Sequence, residues 1–196
     1  MSFDVSQEKM EPVFTLQWPE YVVCERPQKL CPRSEGYSTY IPVSRQEKGV
    51  DLTLLHRTSS KRRAITIQVK ASRTYMGAPP KRKTTVRYNY HTWFNRFIPS
   101  PDADYFALIG FYPRVADQTT KIGPSWYHDC TLLFTYSEIV ELMNNCMTVG
   151  GKPDPMFGFA FNDLDSIIYT RGDSTRSGTD YSKHLIDKKI KELRRG

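Results

Sequence analysis

Two short segments constrain this chain more than any other feature. Residues 49–57 read GVDLTLLHR and residues 64–71 read AITIQVKA. In the second, Ile65, Ile67 and Val69 alternate with Thr66, Gln68 and Lys70. Alternation with period two and β-branched residues predicts a half-buried strand. The first segment has apolar residues at 50, 52, 54 and 55. The polar stretch TSSKRR at 58–63 lies between them, so a hairpin is expected. Folding it with Arg57 opposite Ala64 sets Asp51 opposite Lys70, and Gln68 then shares a face with Lys70.

One carboxylate, one amide oxygen and one ammonium thus converge on one patch of sheet. Asp51 can hold a hard divalent cation through oxygen, with the Gln68 side-chain oxygen and the Val69 backbone carbonyl as further ligands. Such a cation polarises a phosphoryl group and lowers the pKa of bound water. Lys70 can orient or deprotonate that water and offset charge on the phosphate. A cross-strand ion pair between Asp51 and Lys70, worth about 0.2–1 kcal/mol, accounts for the same spacing.

Charge distribution tips the balance toward chemistry. Residues 52–101 hold eleven Lys or Arg and no acid, and the rest of the chain holds 17 basic against 21 acidic residues. Segregation of this kind is the footprint of a polyanion partner. Phosphate contacts are expected from Lys61, Arg62 and Arg63 at the hairpin tip. Arg73, Lys81, Arg82, Lys83 and Arg87, in and around the following basic loop, extend the same surface.

The length, 196 residues, suits a single domain. A short helix is expected over 1–11, then irregular chain over 13–45 with a strand at 39–44. Further strands are expected at 86–94, 103–112 and 130–135. Ser137 would cap a helix over 138–145, and 150–158 and 170–179 read as loops. An amphipathic basic helix over 180–195 would pack Tyr181, Leu185, Ile186, Ile190 and Leu193. The expected class is α/β (α+β), with a mixed central β-sheet flanked by helices. Aromatic residues Tyr88, Tyr90, Trp93 and Phe94 suit core packing better than base stacking.

No apolar run reaches the roughly 20 residues of a membrane span, and the N-terminal residues lack a signal-peptide pattern. A cytoplasmic protein with no membrane partner is expected. Its cysteines, Cys24, Cys31, Cys130 and Cys146, would then be reduced. Ordinary buried thiols suit them better than a zinc site with His128, whose spacing fits no common pattern.

GVD at 49–51 followed by QVK at 68–70 resembles the signature of the PD-(D/E)XK nuclease superfamily. Asp51 stands at the first acid and Lys70 at the lysine, while Gln68 replaces the second acid. The strand from Asp104 is similar to the one that follows the core helix in many members. The resemblance implies a restriction-endonuclease-like core over about 39–145. It also implies a Mg²⁺- or Mn²⁺-dependent DNA endonuclease serving restriction, defence or repair, with catalytic Asp51, Gln68 and Lys70. Glu8 is the candidate for the auxiliary acid of the N-terminal helix. Cutting both strands of a duplex with one site per chain would suit a homodimer. Gln68 keeps open an alternative, a catalytically inactive nucleic-acid-binding module of the same fold. A protein-interaction domain with an acidic partner is a third class, separable by the steep log-linear salt dependence of DNA binding.

Overall fold

The computed structural model describes residues 18–42, 49–76, 88–113, 127–148, 150–170 and 178–195. The expected helix at 1–11, Glu8, Lys81, Arg82, Lys83 and Arg87 lie outside the described residues.

The alternating segment at 64–71 is the middle of a fifteen-residue strand, β3 (Arg62–Met76). Around it the described strands are β1 (Tyr37–Tyr40), β2 (Leu52–Arg57), β4 (Tyr90–Asn95), β5 (Tyr105–Pro113), β6 (Tyr127–Thr135), β7 (Met156–Phe161) and β8 (Ile168–Tyr169). β3 pairs antiparallel with β2 along residues 62–67, parallel with β5 along 67–73, and antiparallel with β4 along 74–76. β1 continues the sheet beyond β2, and β6 beyond β5. A second, antiparallel sheet runs from the end of β3 through β4 and β7 to β8. One strand therefore belongs to two sheets. The class is mixed α+β, as expected.

The helices are α1 (Trp18–Leu30), α2 (Tyr136–Asn144) and α3 (Ile186–Arg195). The odd-numbered face of β3 receives α1 and α3. Ile65, Ile67 and Val69 pack there with Leu52, Leu54, Val22, Val23, Ile186 and Ile190. The opposite core fills the space between the two sheets and α2, with Phe106, Leu108, Phe134, Phe157, Phe159 and Tyr169 all buried. Two layers of apolar contact around one mixed sheet suffice for a domain of this length. No described helix is long and apolar enough to cross a membrane.

Several elements differ from expectation. Helix α1 occupies chain expected to be irregular. Pro19 sits in its first turn, where a missing N–H costs nothing, but Pro27 lies inside it. Burial of Val22, Val23 and Cys24, and the 2.7 Å ion pair from Arg26 to Asp129, outweigh that weak local preference. The strand expected at 39–44 is found at 37–40, and the one at 86–94 is found at 90–95. Strand β7 occupies part of the expected 150–158 loop. Its Gly158 lets β4 approach, since a Cβ there would lie 2.7 Å from the Thr92 carbonyl oxygen. The C-terminal helix starts at Ile186 rather than Asp180, because the Asp180 carboxylate holds the amides of Ile167 and Ser182.

Helix α2 is capped by Thr135, not Ser137. The Thr135 hydroxyl accepts from the Glu138 amide, and Glu138 Oε2 accepts from the Thr135 amide at 2.8 Å. This capping box was written in the sequence as TYSE. Thr135→Ala is expected to lower stability by about 1 kcal/mol in urea denaturation.

Candidate metal centre at the fork of β2 and β3

The hairpin connection is shorter than its sequence suggests. Thr58 and Lys61 close it, the Thr58 amide donating to the Lys61 carbonyl at 2.8 Å. Arg62 and Arg63 consequently lie in β3, opposite Arg57 and His56. Losing two residues from the loop moves the register by two, so Leu52 faces Ile67 and Thr53 faces Thr66. Asp51 therefore reaches the level of Gln68 rather than Lys70. The shift is an even number, so the faces are unchanged.

Ile67 is addressed twice. Leu52 faces it, and the Asp51 amide also donates to its carbonyl at 2.9 Å. Two consecutive residues against one is the arrangement of a β-bulge, a device that re-aims a side chain. The Asp51 side chain turns onto the far strand, where Oδ2 accepts from the Val69 amide at 2.7 Å. β2 ends at this point while β3 runs on. The carboxylate thus fills the strand edge that β2 vacates.

Gln68 is 8% exposed. Its Oε1 is buried and has no hydrogen-bond partner among the described residues. An unpaired buried acceptor costs roughly 1–3 kcal/mol, so its retention calls for a donor or a cation. Beside it runs the 97–104 segment. Gly49, at φ 86°, is so close to Ser100 that a Cβ would lie 2.3 Å from the Ser100 hydroxyl oxygen. Farther along, Thr66 donates its amide to Asp104 Oδ2 at 2.8 Å and its hydroxyl to the Asp102 carbonyl at 2.8 Å. Sequence reasoning did not anticipate this acidic wall, because its acids are far from the strand in the chain.

Lys70 keeps the face expected for it, but its ammonium lies 5.5 Å from the centre of the Phe97 ring. The alternative reading, a cross-strand ion pair with Asp51, is not found among the described residues: Lys70 makes this cation–π contact and Asp51 holds the Val69 amide. Lys61, Arg62 and Arg63 are exposed at the other end of β3. They do not join the fork. Arg73 pairs through its backbone with Phe111.

The fork offers one carboxylate and the neutral oxygen of Gln68, and strand geometry puts the Val69 carbonyl on the same edge as its amide. This donor set is all oxygen, as a hard cation that keeps several waters requires. No group of three or more His, Cys, Asp or Glu that could hold a metal occurs among the described residues. The cysteines do not converge. Cys24 and Cys31 pack on the helix side of the sheet, and Cys130 packs in the other core. None of the four is in a disulfide, and all are buried. Tyr90 stacks on Phe161 and Phe94 on Phe157, so both serve packing.

No family model matches this chain, no curated protein matches it, and no solved structure matches its fold.

Proposed function

We propose that this protein is a divalent-metal-dependent hydrolase of nucleic-acid phosphodiesters, DNA first among them, with its centre at Asp51, Gln68 and the Val69 carbonyl. The observation that carries the proposal is the buried, unpartnered Gln68 oxygen beside the Asp51 carboxylate. Mg²⁺ or Mn²⁺ would be held by these oxygens, and it would supply Lewis-acid activation of the phosphoryl group and of water. Asp51 and Gln68 are both carried by the strand fork, so ligand geometry would be set there rather than by a loop. Lys70 shares their face. Release from Phe97 would let its ammonium offset charge building on a phosphate oxygen. The acid-free stretch over 52–101 gives the chain the basic character that a polyanion partner calls for.

A second reading has its own observation. Asp51 already holds the Val69 amide and Lys70 already rests on Phe97, so both side chains have structural employment without a metal. On that reading the chain is a nucleic-acid-binding module that does not turn over.

Supercoiled plasmid and labelled single-stranded DNA, incubated with Mg²⁺, Mn²⁺ or EDTA, separate the two. The hydrolase gives metal-dependent nicking that Lys70→Ala abolishes. Absence of cleavage by the wild-type protein, with salt-sensitive binding intact, replaces the hydrolase with the binding module.

A further inference from the structure

A second feature lies on the opposite face of the sheet from the fork. A cavity of about 300 Å³ opens where the last turn of α3 meets the hairpin end, lined by Tyr37, His56, Lys61, Arg63, Ile65 and Arg194, among others. Its composition is lopsided. Lys61, Arg63 and Arg194 are cationic, and the nearby Glu35 is engaged by Arg194 through both oxygens at 2.6 and 2.7 Å. Among the described residues neither Lys61 nor Arg63 forms an ion pair with an acid.

Across the two strands His56 faces Arg63, and Glu35, the acid at this end, is taken up by Arg194. Lys61 and Arg63 thus leave uncompensated positive charge at the cavity, which an anion would offset. The other wall is apolar and flat. His56 stacks on Tyr37 with centroids 4.0 Å apart and rings 4° from parallel, and Ile65 and Leu193 complete that side. A cationic rim over an aromatic and aliphatic floor suits an anion attached to a planar apolar body. Arg63 offers a planar fork of donors and Lys61 a mobile point charge, the usual pair of phosphate ligands.

We propose that this cavity binds the phosphate of a nucleotide, either a free mononucleotide or the phosphorylated end of a strand. The site is separate from the fork. Residues 63 and 65 belong to the odd face of β3, and Gln68 and Lys70 to the even face.

Titration calorimetry at fixed ionic strength tests the proposal, with adenosine 5′-monophosphate, adenosine, inorganic phosphate, and an oligonucleotide with or without a 5′-phosphate. Loss of the phosphate is expected to weaken binding by about tenfold or more, and Lys61→Ala and Arg63→Ala to weaken the phosphorylated ligand similarly. Both residues are exposed, so the variants keep the fold, which a thermal melt verifies. Asp51→Asn leaves the binding of adenosine 5′-monophosphate unchanged, so failure here is distinct from failure at the fork. Preference for the phosphorylated oligonucleotide over the mononucleotide assigns the site to strand ends, and equal binding assigns it to free nucleotide. Equal affinity for adenosine and its monophosphate, absence of binding by every phosphate-bearing probe, or wild-type affinity in both alanine variants overturns the proposal.

Discussion

Asp51→Asn is expected to keep the fold and to reduce metal-dependent nicking by on the order of 100-fold, while Asp51→Ala also loses stability. The carboxylate has two tasks at the fork. As a strand-edge acceptor it holds the Val69 amide at 2.7 Å, and an asparagine oxygen can accept the same bond. As the anionic member of the proposed cation site it has no neutral substitute. Alanine leaves the Val69 amide without its partner, in a residue 8% exposed. An unsatisfied buried donor of this kind costs about 1–3 kcal/mol. Plasmid nicking and urea denaturation on the three proteins separate the tasks. Wild-type nicking by Asp51→Asn would remove the fork from the chemistry, and wild-type stability of Asp51→Ala would remove Asp51 from the strand edge.

Acid should destabilise this protein in a window set by His184. Its side chain is buried, 3% exposed as a residue, with its ring stacked 4.4 Å from Phe134. Burial pushes its pKa down from 6.5 to about 4, opposed by Glu138 and assisted by Lys189 and Lys183. A base with a depressed folded pKa binds its proton more readily when unfolded. Its contribution is therefore whole above about pH 6.5 and is lost as pH falls toward 4. At 1.36 kcal/mol per pH unit the loss is about 3 kcal/mol across that window. Glu138 faces the imidazole at 3.8 Å and Lys189 at 2.7 Å. Burial raises Glu138, but Lys189 and the Thr135 amide outweigh it, so its own contribution is lost from the ordinary carboxylate range downward, after most of the His184 loss. Urea midpoints at pH 7, 5.5 and 4.5 should fall for the wild type, and His184→Gln should flatten the upper part of that fall. Identical slopes for the two proteins would show that another group governs the transition.

Strand β3 was legible because its alternation is carried by the strand itself: Ile65, Ile67 and Val69 face one core whatever the rest of the chain does. The shared face of Gln68 and Lys70 followed from the same alternation. Their register did not, because it depends on where a polar turn closes. Residues 58–63 offered two ways to close it, and the chosen one puts Arg62 and Arg63 into the sheet against their own charge. The bulge at Asp51 was invisible for a similar reason. It arises from the end of β2, not from any residue type. Helix α1 was obscured by Pro27 and adjacent valines, whose weak local preference is overridden by burial against the sheet. The 97–104 wall is joined to Thr66 through contacts 36 and 38 residues apart, and no local pattern carries such a contact.

The helix layer has a consequence for how this polypeptide is made. Its two members come from opposite regions of the chain, 18–30 and 186–195, and they meet over the same strands. During synthesis at about 5–20 residues per second, Leu52, Leu54, Ile65 and Ile67 exist long before Ile186 and Ile190 arrive to cover them. The nascent chain must carry a half-clad sheet for many seconds. A chaperone that shields apolar surface therefore has its longest opportunity on this face, and a ribosome stalled before residue 186 would release a product with that face partly bare.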